Sequence, residues 1–227
     1  MAVELTEVVP WGRSFGEYVR MFALGEGELR GRILGCGDGP ASFNTEGTGK
    51  GVRIVSCDPI YGFSGEEIGR RVEACAADMV RQVWREKDGF VWKVFVDPDD
   101  LGRHRLEVMR EFLTDYEVGL AEGRYVVGAL PALPFEEAAF DLAVVSHFLF
   151  LYAGRLDVEF HWMSVVELMR VAREVRIFPL VTLARERCEF VEPIVERCLA
   201  RGWRAEVVRV GYEFVKGGDE MLVIGNG

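Results

Sequence analysis

The stretch Arg32-Ile33-Leu34-Gly35-Cys36-Gly37-Asp38-Gly39-Pro40 decides the fold. A short apolar strand runs into a glycine-rich turn, and a short helix is expected to follow through Phe43. Strand, glycine turn and helix form a standard site for an anionic or nucleoside ligand. Missing Cβ atoms let a ligand approach the backbone, and the helix N-terminus offers unpaired N–H groups. The dinucleotide pattern GxGxxG fits at Gly35 and Gly37 but meets Pro40 at its third glycine. The phosphate pattern GxxxxGK followed by Ser or Thr fails twice, at Asn44 and at Gly51 on either side of Gly49-Lys50. What stands is GxGxG, Gly35 to Gly39. The alternative is a tight structural turn with no ligand.

Outward from that turn, strands and helices alternate. Ser14-Phe-Gly-Glu17 is a capping-box pattern, and Phe15, Val19 and Phe22 follow at helical spacing, which predicts a helix over about 14–24. A second strand over 52–57 closes at Asp58-Pro59. A second capping box, Ser64-Gly-Glu-Glu67, opens a helix reaching about Glu86, and another helix is predicted over 99–122. Strands follow at 125–127 and 140–146, the latter reading as buried on both faces, as central parallel strands do. A helix over 162–172, a strand over 174–178 and a helix over 189–201 lead to two strands, 205–215 and 220–224. The turn Lys216-Gly217-Gly218-Asp219 between the last two reads as a hairpin. Alternation implies a doubly wound α/β fold, a mostly parallel sheet with helices on both faces. The hairpin implies an antiparallel end. About 65 residues separate the second and third strands, enough for two helices with an insertion near 86–102 between them. With no repeat or linker, residues 1–227 read as one domain, with 1–30 as an N-terminal helical lid segment.

Composition bounds the partners. The chain has 227 residues, 49% hydrophobic and 28% charged, with a formal net charge of −10. That length buries a sizeable core without staples, and the acidic balance argues against a phosphate-backbone partner. The five cysteines, Cys36, Cys57, Cys75, Cys188 and Cys198, are odd in number and form no CxxC. They read as reduced thiols of a cytoplasmic protein, neither a disulfide framework nor a metal site. His104, His147 and His161 match no metal spacing. The N-terminus lacks a signal-peptide pattern, and the apolar segment 142–152 is too short to span a bilayer. Arg outnumbers Lys 23 to 4, and Asn plus Gln total three, which suits a thermophile or a GC-rich genome.

Ile33-Leu34-Gly35-Cys36-Gly37-Asp38-Gly39 resembles the first motif of the class I S-adenosylmethionine-dependent methyltransferases. The resemblance covers roughly Ile33 to Ile224. Asp58 is similar to the family's ribose-binding acid. Gly128-Ala129-Leu130-Pro131-Ala132-Leu133-Pro134-Phe135, followed by Phe140-Asp141-Leu142, resembles its adenine loop and fourth strand. Tyr212-Glu213-Phe214 before Lys216-Gly217-Gly218 suits its reversed last strand. The resemblance implies a seven-stranded sheet, S-adenosylmethionine as cofactor, and methyl transfer to a small-molecule acceptor. It implies a cofactor site of Gly35, Cys36, Gly37, Asp38, Gly39, Asp58, Pro59, Ala129, Leu130 and Ser146. Two positions depart from the family: Ile33 and Ala129 stand where it usually has acids. Asp38 is then expected to serve the cofactor's amine.

Other residues read singly. A carboxylate at Asp58, 23 positions after Gly35, can accept both ribose hydroxyls, or simply form a turn before Pro59. Ser146-His147 ends the fourth strand, where open α/β sheets place ligands, so His147 is a candidate general base, or else a structural histidine. Arg13 is expected to meet a carboxylate of cofactor or substrate, or to be a surface arginine. The run Phe148-Leu149-Phe150-Leu151-Tyr152 reads as core before substrate platform. Two other functions stay open from the residues: a nucleoside-binding protein without catalysis, and a nicotinamide-dependent oxidoreductase. Pro40 and the terminal hairpin speak against the second. The acceptor and the oligomeric state are not legible.

Overall fold

A computed structural model of the protein describes residues 11–227. Residues 1–10 of the expected N-terminal segment lie outside the described residues. The sheet has seven strands: β1 Arg32–Cys36, β2 Arg53–Cys57, β3 Tyr125–Val126, β4 Phe140–Ser146, β5 Ala172–Phe178, β6 Trp203–Arg209 and β7 Glu220–Asn226. Their order is β3-β2-β1-β4-β5-β7-β6. Pairing is parallel from β3 to β5, and β7 runs antiparallel to both β5 and β6. The chain moves outward from β1 through β2 to β3, then returns to lay β4 on the other side of β1. That switch between β1 and β4 opens a crevice at their carboxyl ends, where doubly wound sheets bind ligands.

Among the described residues seven α-helices complete the fold: α1 Phe15–Met21, α2 Glu26–Arg30, α3 Phe43–Gly49, α4 Gly65–Arg85, α5 Pro98–Ala121, α6 Val158–Val171 and α7 Val191–Ala200. Side chains alternate along the strands, and both faces are covered. Leu34, Ala143, Val145, Val175 and Ile177 pack toward Val165, Leu168, Ile194 and Cys198 of α6 and α7. Ile33, Leu142 and Val144 pack toward Phe15, Tyr18 and Met21 of α1 and Phe43 of α3. Only Asp141 of β4 is exposed, so the strand is central as expected, and the Asp141 carboxylate accepts from the Arg32 backbone N–H at 2.8 Å.

Five features depart from the expectations. The helix after the glycine turn starts at Phe43 and runs to Gly49, because Gly39-Pro40 and Ser42 extend the turn. α2 was invisible to periodicity: five residues with no buried side chain carry no apolar stripe. α6 starts at Val158, where the Asp157 side chain accepts from Phe160 N–H at 2.8 Å and caps it. β6 stops at Arg209, so Tyr212-Glu213-Phe214 lies in a ten-residue loop and β7, not that tripeptide, is the reversed strand. The segment between α4 and α5 that was read as an insertion spans residues 86–97, because Asp97 caps α5 at Pro98. It is tied to the loop before β7: Val91 N–H donates to Phe214 O at 2.8 Å, and the Phe90 and Phe214 rings stack at 4.8 Å. Among the described residues no helix is long and apolar enough to cross a membrane.

Candidate functional site

One cavity of about 870 Å³ opens at the carboxyl ends of β1, β2 and β4. Its wall contains Arg13, Cys36, Gly37, Asp38, Gly39, Asp58, Pro59, Ala129, Leu130, Ser146 and His147. Gly35 alone of the expected site residues does not line it. A Cβ on Gly35 would run into the Asp38 carboxylate, so this glycine makes room for the acid rather than for a ligand. Gly37 and Gly39 have φ of +73° and +56°, the left-handed region that turns the chain sharply away from β1.

Asp38 sits under that turn and is only 7% exposed. Its oxygens accept from the Tyr18 hydroxyl and the Ser56 hydroxyl, both at 2.7 Å. Burial pushes its carboxyl up to about 7, against the two hydroxyl bonds, with the nearby Asp58 charge adding to the rise. Asp58 N-caps a 3-10 turn over Pro59–Gly62. Its Oδ1 accepts from Ile60 N–H at 2.8 Å and its Oδ2 from Gly39 N–H at 2.9 Å. Burial raises its carboxyl, and those two bonds oppose the rise. The turn-forming reading of Asp58 is therefore correct as far as it goes. Each oxygen keeps a lone pair, so a ligand role is compatible with it.

His147 follows β4 with φ +53°, a strained conformation for a residue other than glycine. Its backbone N–H donates to Phe178 O at 2.7 Å, and its Nδ1 lies 3.0 Å from Ser146 Oγ. Burial depresses the ring's basicity well below the usual histidine range, and the Arg13 and Arg105 charges add to it. The ring is therefore neutral near neutral pH, and the same burial and charges make its protonated form costly. His104 and His161 are elsewhere: His104 Nε2 lies 3.3 Å from Glu17, and His161 Nδ1 is 2.7 Å from Asp157 O. The aromatic run divides, with Phe148, Leu151 and Tyr152 on the cavity and Leu149 and Phe150 in the core.

Beneath the site lies a buried charge network that spacing did not reveal. Glu17 of α1 and Arg105 of α5 are each 1% exposed. Arg105 holds both Glu17 oxygens, with Nη1 to Oε2 at 2.5 Å and Nη2 to Oε1 at 2.7 Å. The Tyr212 hydroxyl donates to Glu17 Oε1 at 2.8 Å. Burial alone would raise the Glu17 carboxyl; the Arg105 charge and the bonds to it override that and hold it well below the usual range. Glu17 was read only as a capping-box acid, and it does cap Ser14.

The comparisons fit this architecture. The chain is 35% identical over 228 residues to "Uncharacterized protein MJ0045" of Methanocaldococcus jannaschii, covering 98% of each. The chain belongs to the same family as that protein. No family model matches. Among solved structures, the mitomycin 7-O-methyltransferase MmcR is similar at TM-score 0.51 and 12% identity. The match covers 94% of this chain but 54% of that one, so the chain spans about half its length. A TehB-like SAM-dependent methyltransferase from Corynebacterium glutamicum matches at TM-score 0.48 and 16% identity, over 93% of this chain and 88% of that one. At 12% identity the likeness to the first of these is one of fold, the doubly wound α/β sheet expected from the alternation of strands and helices.

Proposed function

We propose that the protein binds S-adenosylmethionine and transfers its methyl group to a small-molecule acceptor. The observation that carries this reading is the convergence of the β1 turn, Asp58, Ala129-Leu130 and Ser146-His147 on one cavity. Gly37 and Gly39 present backbone to the methionine end. Asp38, the acid nearest that end, faces the ammonium group in place of the acid missing at Ile33. The two free lone pairs of Asp58 take the ribose hydroxyls, and Leu130 lies against the adenine. When bound, the cofactor would supply an electrophilic sulfonium methyl for the acceptor atom, with sulfur as the leaving group. The chain's work is to align that atom and exclude water. Neutral His147 takes the proton the acceptor sheds.

Binding tests come first. S-adenosylmethionine and its demethylated product should bind with dissociation constants of about 1 µM to 1 mM, the usual range for enzyme substrates. Calorimetry showing no binding of either, with clear binding of NADH, would overturn the reading in favour of an oxidoreductase.

The Asp38 carboxyl then sets a pH dependence. A group raised to about 7 is still half protonated at pH 7 and must ionise to pair with an ammonium. Affinity for S-adenosylmethionine should therefore rise as pH rises through about 7, roughly tenfold per unit below it, and fall again above about 8 as the ligand's own ammonium loses its proton. Asp38→Asn should flatten that rise and bind more weakly at pH 8. A profile in Asp38→Asn that keeps the wild-type slope would assign the titration elsewhere.

Asp58→Ala should weaken the same ligand by about 1.5–3 kcal/mol, the scale of hydrogen bonds to a charged group. It should also cost about 0.5–2 kcal/mol of stability, because it deletes the cap on Ile60. If the melting temperature falls while affinity is untouched, Asp58 is a turn residue and nothing more.

A further inference from the structure

The cavity extends well past the residues that would hold a nucleoside. It runs beneath α4 and out to Phe90 in the segment between α4 and α5, Phe214 in the loop before β7, and Leu183 after β5. At about 870 Å³ it lies near the upper end of the range of roughly 300–1,000 Å³ for small-molecule pockets. The far part is walled mainly by apolar and aromatic side chains, among them Trp11, Met79, Phe148 and Tyr152.

Two residues of this wall each carry a buried side-chain polar atom with no hydrogen-bond partner, and the two atoms are of opposite kinds. One is Arg13 Nε, a donor; the other is Gln82 Oε1, an acceptor carried on α4. Arg13 makes one hydrogen bond, from Nη1 to Trp11 O at 3.2 Å. Among the described residues no carboxylate pairs with it. Glu17 is already engaged by Arg105, Tyr212 and His104. Arg13 therefore stands without an ion-pair partner on a wall whose carboxylates, Asp38, Asp58 and Asp78, make no ion pair with it. The Arg13 charge acts on His147, on the β4 side. It also acts on Tyr18, whose hydroxyl meets Asp38 at the cofactor turn.

An unpaired, partly desolvated guanidinium calls for an anion, and its fork geometry fits a carboxylate. The aromatic walls call for a flat apolar body. The orphaned Gln82 oxygen calls for an O–H or N–H on that body. Resting on the methyl-transfer reading above, we infer that the acceptor is a small aromatic carboxylic acid carrying a hydroxyl or amino group, its carboxylate on Arg13 and its donor on Gln82 Oε1. The carboxylate has a second source, the methionine end of the cofactor, and the test separates the two.

The probes are 4-hydroxybenzoate, 4-aminobenzoate, benzoate and 4-hydroxybenzamide, titrated by calorimetry into protein saturated with S-adenosylhomocysteine. The two substituted benzoates should bind, and 4-hydroxybenzamide at least tenfold more weakly. Arg13→Leu should weaken 4-hydroxybenzoate at least tenfold and leave S-adenosylhomocysteine within threefold, while Arg13→Lys recovers part of the loss. Gln82→Leu should weaken 4-hydroxybenzoate severalfold and leave benzoate unchanged. No aryl carboxylate binding at millimolar concentration overturns the inference. So does an Arg13→Leu protein that loses S-adenosylhomocysteine instead, because the carboxylate is then the cofactor's own. If S-adenosylhomocysteine itself fails to bind, the methyl-transfer reading falls. The aryl titrations on the free protein then still decide whether Arg13 and Gln82 form an acid site.

Discussion

Glu17→Ala will cost the folded protein about 3–5 kcal/mol, the range for breaking a buried ion pair by removing one partner. The variant leaves the Arg105 guanidinium in a site 1% exposed, without the carboxylate that held both of its terminal nitrogens. It also leaves the Tyr212 hydroxyl without its acceptor. The loss should be read by chemical denaturation near pH 7. In a thermal scan it corresponds to roughly 10 °C for a chain of this size. Glu17→Met combined with Arg105→Met should recover much of it, since no charge is then left buried. The sign with pH follows from the depressed carboxyl. A carboxyl held well below its unfolded value stabilises the fold above that value, and loses the contribution only as pH falls through the folded one. The wild type should thus hold this stability at pH 5 and give it up in stronger acid. A Glu17→Ala protein within about 1 kcal/mol of wild type would show that water or rearrangement reaches Arg105, and that the network does not hold α1 to α5.

The elements that carry strong local signals were legible. The boxes at Ser14 and Ser64 open α1 and α4 as read, because capping is written in residues three apart. β4 was legible as a central strand because a parallel strand covered on both faces is apolar throughout. What failed were features whose cause is tertiary. The strand preference of the 210–215 segment is overridden because Tyr212 is drawn to Glu17 and Phe214 to Phe90, so the chain leaves the sheet after Arg209. The early start of α6 turns on one Asp157 side chain, a cap without the partner acid that completes a box.

The candidate site divides in the same way. The residues of the β1 turn, Asp58 and Ser146-His147 were readable because strand ends and glycine turns fix where they point. The support beneath them was not. Tyr18 and Ser56 meet at Asp38 from positions 20 residues before it and 18 after it. Arg105 lies 88 positions from Glu17. No local spacing links such partners; only the packing of α1 and α5 on the sheet brings them together. The one signal available was chemical. A chain with 23 arginines and four lysines holds more planar, bidentate donors than a surface needs, and some of those arginines were bound to be inside.

His147→Ala should leave cofactor affinity within about threefold, under 1 kcal/mol, and lower turnover by a factor on the order of 10²–10⁴. The first half follows from place. His147 lines the cavity at the end of β4, whereas the groups assigned to methionine, ribose and adenine are at β1, β2 and Leu130. The second half follows from protonation. A base near neutral pH needs an unprotonated nitrogen, and burial with the Arg13 and Arg105 charges keeps this ring neutral. The tautomer that leaves Nε2 free places the proton on Nδ1, donated to Ser146 Oγ at 3.0 Å. The Ser146 hydroxyl then donates in turn to Met21 Sδ at 4.0 Å, so the chain of bonds can run in that direction. Because the ring's basicity lies well below the usual histidine value, turnover should not fall between pH 8 and 6.5 on its account; the loss belongs to more acid conditions. Turnover is to be measured with an acceptor found among the aromatic acids above. A cofactor-bound crystal structure tests the geometry before that. A His147 ring turned away from the sulfur, or a His147→Ala protein that loses cofactor affinity and little turnover, would make it a positioning residue for the cofactor and end its role as the base.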